Sequence, residues 1–248
     1  MVKLRYKDLI LDVEPSYINM FYAIYIAGEY DFLTIRQGDI VLDAGASWGD
    51  FSLKASKLVG KSGKIIAVEP DPVFFKMLKR NIIINQISNI IAVKKALSDV
   101  EGYCLIDYRK RIRVPTISVD NLLKENKVKK VDVLKMDIEG DEVKALKGSF
   151  LNNLREAAIE THGQKNYNVI KQILKDHEFT LYSYDKRTFF MNSFKNTLRY
   201  INCFMFAEFK SKFLATRSTI EYLLHRTLPV PASNGDTNYR IVYAKKNF

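Results

Sequence analysis

The 248-residue sequence predicts an α/β fold: a mainly parallel, seven-stranded sheet with helices on both faces and a helical insertion before the last strand. Three observations carry this expectation. From residue 40 onward, short apolar runs alternate with helical patterns, as in a sheet built from strand–helix–strand units. One of those runs ends abruptly in a glycine-spaced turn, "VLDAGASWGD" (41–50), which reads as a strand feeding a tight loop and then a helix. The last two strand candidates are separated by more than fifty residues, too many for a structureless connection.

Taken in order, the chain begins with a segment, 1–37, whose longest apolar run is "YINMFYAIYIAG" (17–28). That run is too short to span a bilayer, so 1–37 is expected to be an N-terminal helical segment packed on a main domain at 38–248. The strands expected in that domain are "IVLDA" (40–44), "KIIAVEP" (64–70), "NIIAVKKAL" (89–97), "VDVLKMD" (131–137), "EAAIET" (156–161), "FTLYSY" (179–184) and "YRIVYA" (239–244), with a short addition at "VEGYCLIDY" (100–108). Helices are expected at 49–60, 71–85, 118–126, 140–148 and 165–177. The second is well started, with Asp71 as an N-cap and Pro72 at the first helical position. In the insertion at about 186–235, Phe190, Phe194, Leu198, Ile201, Met205 and Phe209 recur at steps of three and four, the spacing of an amphipathic helix.

Composition narrows the class. With 47% apolar residues the chain can bury a full core. Two cysteines, Cys104 and Cys203, form neither a disulfide framework nor a CxxC metal pattern. The charged start "MVKLRYKDLI" is unlike a signal peptide. These features fit a cytoplasmic protein. The net charge is +11, and Lys186 to Gly235 carries eight basic residues against two acids, +6 of that total. Such a basic, aromatic stretch is suited to an anionic partner or to a solvated face.

The glycine loop reads as Asp43-x-Gly45-x-x-x-Gly49. A P-loop needs GxxxxGK[ST], and no lysine follows here. A dinucleotide loop prefers a glycine where this chain has Ser47. Twenty residues beyond Gly49, Glu69 ends the second strand, where an acid accepts hydrogen bonds from both hydroxyls of a ribose. Asp43, at the tip of the first strand, is placed to meet an amine or the turn amides. A ligand with a ribose, an amino-acid end and no phosphate is S-adenosylmethionine.

At this point the sequence resembles the class I S-adenosylmethionine-dependent methyltransferases, with their Rossmann-like fold, and within them the FkbM family. The resemblance rests on "GDIVLDAGASWGDFSL" (38–53), "IIAVEPDP" (65–72), "LKRNIIINQISNI" (78–90), "AVKKALSDVEG" (92–102), "TISVDNLL" (116–123), "VDVLKMDIEGDEVKALKGS" (131–149) and "AAIETHG" (157–163). It covers roughly residues 28–184, and "KMDIEGDE" with "ALSD" is its specific part. It implies that Asp43, Gly45 and Gly49 line the methionine end, that Glu69 binds the ribose, and that Ala96, Leu97 and Ser98 lie beside the adenine. Ser47, Pro70 and Asp137 complete the expected cofactor-binding set, with Glu29 as an upstream acid that closes over the cofactor or remains an ordinary surface carboxylate. Trp48 and Asp141 depart from the family's usual residues, and Trp48 is expected to alter the pocket wall.

Open α/β sheets place their chemistry at the carboxyl ends of the strands. Strand four delivers Asp137 and Glu139, and strand five Glu160 and His162. The acids could instead cap the next helix or pair with a base such as Lys135, and His162 could be structural. As catalytic groups, Asp137 and Glu139 rank first, followed by His162 as a general base suited to neutral pH and Glu160. A divalent metal is conceivable on such residues, but no ligand spacing demands one, and the reading leans against it. Cys104, in the added strand, is expected to stand away from the site. "MDIEG" lacks the prolines of enzymes that methylate exocyclic amines of bases, and the resemblance implies O-methylation. The acceptor is then a glycan, glycolipid or small hydroxylated metabolite, with the insertion capping it or resting peripherally on an anionic membrane. Two alternatives stand beside it: an RNA methyltransferase that uses the basic insertion, and a non-catalytic cofactor-binding protein.

Overall fold

A computed structural model describes residues 1–107, 111–182 and 240–246. The chain opens with an antiparallel hairpin, β1 (Val2–Tyr6) and β2 (Leu9–Val13). The alternation in "VKLRY" is a strand period, and it puts Leu4 and Tyr6 inside, with Leu9, Leu11 and Val13 opposite. The expected helical character of 1–37 is therefore corrected: helical geometry runs only from Pro15 to Ala27. It comprises a 3-10 turn (Pro15–Tyr17), α1 (Ile18–Phe21) and a π-helical turn (Tyr22–Ala27) that stops at Gly28 with φ +70°.

The main domain continues as β3 (Ile40–Ala44), α2 (Asp50–Val59), β4 (Lys64–Val68), α3 (Pro72–Ile84), β5 (Ile90–Val93), β6 (Ala96–Leu97), β7 (Gly102–Asp107), β8 (Arg111–Ile117), α4 (Val119–Glu125), β9 (Val133–Met136), α5 (Glu142–Ala145), β10 (Glu156–Thr161), α6 (Gln164–Asp176), β11 (Thr180–Tyr182) and β12 (Arg240–Lys245). Seven strands form one sheet in the order β11-β12-β10-β9-β3-β4-β5. The run from β10 to β5 is parallel, and β12 is antiparallel to both of its neighbours. The expected insertion at 186–235, including Cys203, lies outside the described residues.

Alternate residues of each parallel strand feed two cores. Val41, Ile65, Ala67, Val133 and Ala158 face the hairpin, α2 and α3. Leu42, Ile66, Val68, Leu134, Met136 and Ile159 face the layer of α4 to α6. Burial on both faces explains why these strands read as continuous apolar runs. The run at 89–97 breaks into β5 and β6, and β6 leaves the main sheet to join β8 and β7 in a small three-stranded one. The helix expected over 140–148 shrinks to the four residues of α5, bounded by Gly140 at φ +114° and by a 3-10 turn from Ser149. Asp71 caps α3 as expected, accepting from Val73 N–H at 2.7 Å and Phe74 N–H at 3.1 Å.

The hairpin is bonded to α3 by two asparagines one helical turn apart. Asn81 Oδ1 accepts from Asp12 N–H at 2.8 Å and its amide donates to Asp12 O at 3.3 Å. Asn85 does the same for Ile10, with both distances 2.7 Å. Two side-chain amides thus take the place of a neighbouring strand along β2. Asn81 is fully buried and also donates to Trp48 O at 3.0 Å, tying the hairpin to the glycine loop. Replacing Asn81 with Ala would leave buried backbone groups unpaired, and we expect it to lower the unfolding free energy by about 1–3 kcal/mol in urea denaturation.

Candidate active site

In the strand order, β4 and β5 lie to one side of β3, and β9 and β10 to the other. The crevice of an open α/β sheet forms at such a reversal, beyond the carboxyl ends of the strands. Here it is a cavity of about 940 Å³. Its walls come from the loop after β3, the end of β4, the loop after β9, the strand β7 and the helical segment before Gly28.

The loop after β3 is shaped by sterics. Gly45 has φ +78°, and a Cβ on it would lie 1.8 Å from the carbonyl oxygen of Asp137. Gly49 has φ +92°, and a Cβ there would meet Leu53 and Leu78 at 2.5 and 2.7 Å. Ser47 also adopts a left-handed conformation, φ 48°, and turns its amide to Glu69 Oε2 at 2.7 Å. The other oxygen of Glu69 accepts from Asp71 N–H at 2.8 Å. The carboxylate at the end of β4 is thereby held in one orientation at the cavity wall. Burial pushes Glu69 up to about 7, against the pull of those two amides.

Lys135, inside β9, is the cation at the centre of the floor. It donates to Gly45 O at 2.7 Å and pairs with Asp43 Oδ1 at 3.3 Å. Asp43 is completely enclosed, and its second oxygen accepts from Ser52 Oγ at 2.5 Å. Burial raises the Asp43 carboxyl, and Lys135 and Ser52 oppose that rise. Burial alone would lower the Lys135 ammonium, but Asp43, Asp137 and Asp50 hold it well above its ordinary value. Asp50, at the first turn of α2, is pushed up to about 7 by burial. Three aspartates and the nearby Glu29 thus surround one lysine, an excess of negative charge suited to a cationic ligand group.

Of the residues singled out from sequence, Glu29, Gly45, Ser47, Glu69, Pro70, Ala96, Leu97, Asp137, Glu139 and Glu160 line this cavity together. Asp43, Gly49, Ser98 and His162 are not part of its lining among the described residues. Asp43 is spent on Lys135 and Ser52 beneath the floor, so an internal ion pair takes the place of the expected ligand amine. Trp48 does not form the wall either; it is fully buried in the core beneath the hairpin. The expectation for Cys104 is also corrected. β7 folds over the site, and Cys104, Leu105, Ile106 and Asp107 line it. Burial raises the Cys104 thiol, which makes it a poorer nucleophile.

Sequence reasoning missed Asp50 and the pairing of Lys135. Asp50 follows Gly49 directly, and a lysine inside the apolar strand "VLKM" must find a buried acid, so signals for both were present.

His162 stands at the far end, among acids. Its Nδ1 is 2.9 Å from Glu142 Oε1, and its Nε2 is 3.3 Å from Glu139 Oε2 and 3.9 Å from Asp137 Oδ1. The hydrogen bond to Glu142, with the charges of Glu139 and Asp137, lifts His162 to about 9 despite partial burial. A histidine that keeps its proton at neutral pH lacks the lone pair a general base requires, so the expected match to neutral pH is not met. Ligand atoms of Asp137, Glu160 and His162 lie within 4.8 Å of one another, close enough to share a metal ion.

The fit of the cavity to S-adenosylmethionine rests on its own features. Gly45 lets the loop pack directly on the Asp137 carbonyl at the cavity wall, Ser47 Oγ is shielded from solvent with no hydrogen-bond partner, and Glu69 is fixed at the wall. Together the sheet order and this cavity define a Rossmann-like methyltransferase of class I. Residues 28–181 match the model of the Methyltransferase FkbM domain, and the chain belongs to that family, whose cofactor is S-adenosylmethionine. A similar curated protein is methyltransferase sdnD of Sordaria araneosa, 26% identical over 165 residues, which are 48% of this chain and 63% of that one. Similar solved structures include the methyltransferase FkbM of Methylobacillus flagellatus KT (20% identity, 68% of this chain and 46% of that chain, TM-score 0.48). Another is SMU.1697c of Streptococcus mutans in complex with SAH (11% identity, 96% of this chain and 100% of that chain, TM-score 0.47). The chain thus spans about two thirds or less of the length of sdnD and of the Methylobacillus protein. Among the described residues, no helix is long and apolar enough to cross a membrane.

The buried Glu69 gives a pH-dependent stability of definite sign. Its folded pKa lies above the value for an unfolded glutamate, so between about pH 4.5 and 7 the native state holds a proton that the unfolded chain releases. Stability contributed by that proton is present at low pH and lost as pH rises through 7. We expect urea midpoints to fall between pH 5 and pH 8, and Glu69→Gln to remove on the order of 1–3 kcal/mol of that fall.

Proposed function

We propose that the protein is an S-adenosylmethionine-dependent O-methyltransferase acting on a hydroxyl of a glycan, glycolipid or other small hydroxylated metabolite. One observation carries the reading: Asp137, Glu139 and Glu160, at the ends of β9 and β10, open into the same cavity as Gly45, Ser47 and Glu69. A donor half and an acceptor half share one space.

In the donor half, Glu69 is the acceptor for the ribose hydroxyls, since its two amide bonds leave lone pairs free and fix their direction. Ala96 and Leu97 offer an apolar wall to the adenine, and Pro70 adjoins it. Gly45 and Ser47 let the backbone approach the methionine end. The acids around Lys135 favour the positive charge of the cofactor, with Lys135 available to its carboxylate. When bound, S-adenosylmethionine supplies the methyl group by displacement at its sulfonium, the sulfur–carbon bond breaking as the oxygen–carbon bond forms.

In the acceptor half, Asp137 and Glu139 stand where the hydroxyl proton must go, and either carboxylate accepts it as the new bond forms. β7 supplies Leu105 and Ile106 as apolar contacts for the acceptor body. A wall carrying Asp107, Asp137, Glu139, Asp141 and Glu160 repels a polyanion, which weighs against RNA as acceptor.

Calorimetric titration with S-adenosylmethionine, beside Glu69→Gln, tests the donor half. We expect saturable binding that the variant weakens by about tenfold or more, the loss of a charge-assisted hydrogen-bonded contact. An acceptor panel read by S-adenosylhomocysteine release then tests the other half. Turnover with sugars or glycolipids supports O-methylation, whereas turnover confined to amines or RNA overturns it.

A further inference from the structure

The acids and histidine beyond β9 and β10 are arranged more tightly than proton acceptance requires. Asp137 follows β9, Glu160 lies near the end of the adjacent β10, and His162 comes two residues later. One ligand atom from each falls within 4.8 Å of the others. The last pair of the β9–β10 ladder, Met136 with Ile159, brings Asp137 beside Glu160, and His162 follows just beyond β10.

A second observation concerns the orientation of the imidazole. Glu142 is wholly buried at the start of α5, and its Oε1 accepts from Gly140 N–H at 2.9 Å. The same oxygen lies 2.9 Å from His162 Nδ1. A carboxylate oxygen can only accept, so Nδ1 carries the hydrogen. Nε2 is thereby directed at Asp137 Oδ1 and Glu139 Oε2. Histidines that ligate metals are commonly held in this way, the other ring nitrogen donating to a carboxylate.

A third observation is that Asp137 Oδ1, the oxygen facing Nε2, is shielded from solvent and has no hydrogen-bond partner among the described residues. A solvent-shielded carboxylate oxygen without a donor is one whose need a bound ion would meet. Glu139 stands nearby, its Oε2 3.3 Å from His162 Nε2.

We propose that Asp137, Glu160 and His162 bind one hard divalent cation, Mg²⁺ or Mn²⁺, at the margin of the acceptor half of the cavity, the ion taking the place of the proton on Nε2, with Glu139 at its edge. Two carboxylates and one imidazole leave coordination positions for water or an acceptor oxygen, the donor balance that suits these ions. The ion offsets the negative charge of that wall. It also holds the acceptor hydroxyl beside the methyl donor and makes its proton easier to remove. That catalytic role rests on the methyltransferase reading; the binding site itself does not. The rival arrangement is a plain ion-pair cluster, in which Nε2 carries a proton shared with Glu139 instead of a metal.

The test is a titration of chelator-treated full-length protein with Mn²⁺, followed by electron paramagnetic resonance of the free ion, with electron spin echo detection of nitrogen coupling in the bound one. We expect one saturable site whose bound Mn²⁺ shows histidine nitrogen coupling. Glu160→Gln should weaken it by about tenfold or more, and His162→Ala should abolish the coupling while S-adenosylmethionine binding persists. Failure of the wild type to bind Mn²⁺ at millimolar concentration, or binding without nitrogen coupling, overturns the proposal and favours the ion-pair cluster. Because the wild-type spectrum decides the matter alone, a variant that fails to fold does not block the test. None of these readouts depends on turnover, so a failed acceptor screen and a failed metal site are separate results.

Discussion

Lys135 and Asp43 lie side by side on adjacent parallel strands, and much of the site follows from their pairing. Both are withdrawn from solvent, and in the registered pairing of β3 with β9 each is the other's neighbour. An ion so deeply buried is tolerated only when its partners are close and its remaining hydrogen bonds are made. Asp43 is supported by a hydrogen bond from Ser52 to one oxygen and the ion pair with Lys135 at the other, and Lys135 by its bond to Gly45 O. The last of these bonds grips the first residue of the glycine loop. The path of that loop, the position of Ser47 and so the contact to Glu69 are all built outward from one buried ion pair. Removing either partner would leave the other charge stranded below the cavity floor.

The same region shows how a small set of backbone constraints positions chemistry carried by other residues. Gly45 is packed against the carbonyl of Asp137, so the loops after β3 and β9 touch where the strand order reverses. No side chain can enter that gap, and the two loops open on opposite sides of it. The ribose-binding acid proposed at Glu69 is oriented by amides of one loop and by its own turn toward Asp71. The acceptor-side carboxylates belong to the other. Donor and acceptor halves are held by the sheet itself, with the hairpin and α3 bracing the first loop through Asn81.

The parallel core was legible because strands buried on both faces leave continuous apolar runs, and β3 and β10 begin and end where "IVLDA" and "EAAIET" do. The hairpin was obscured by the stronger apolar run after it, although "VKLRY" alternates as a strand should. β8 was hidden by Pro115, which argues against a strand although β8 is paired on both sides in the small sheet. Its partner β7 lines the cavity, a placement no local pattern foretells. Within the site, spacing pointed to Gly45 and Glu69 as wall residues because their positions are local to one loop and one strand end. The partners of Asp43 and His162 could not. Lys135 is 92 positions from Asp43 and Glu142 is 20 from His162, and only the sheet brings them together.

Charge separates the two halves of the cavity, and that separation bears on how one space can serve two ligands. On the donor side, the negative groups around Lys135 are partly compensated, leaving a field suited to a ligand bearing both a positive sulfur and an amino-acid end. On the acceptor side, the acids converge on His162 and outnumber it. A neutral hydroxylated acceptor gains little from such a wall unless some of that charge is balanced where it binds. A proton on the imidazole does so weakly and at a fixed point. A divalent cation does so more strongly and presents open positions to an oxygen ligand. The surplus of carboxylates at the ends of β9 and β10 is thus the feature that most bears on the acceptor, because it disfavours anions and, with the proposed cation bound, would favour an oxygen donor able to share it.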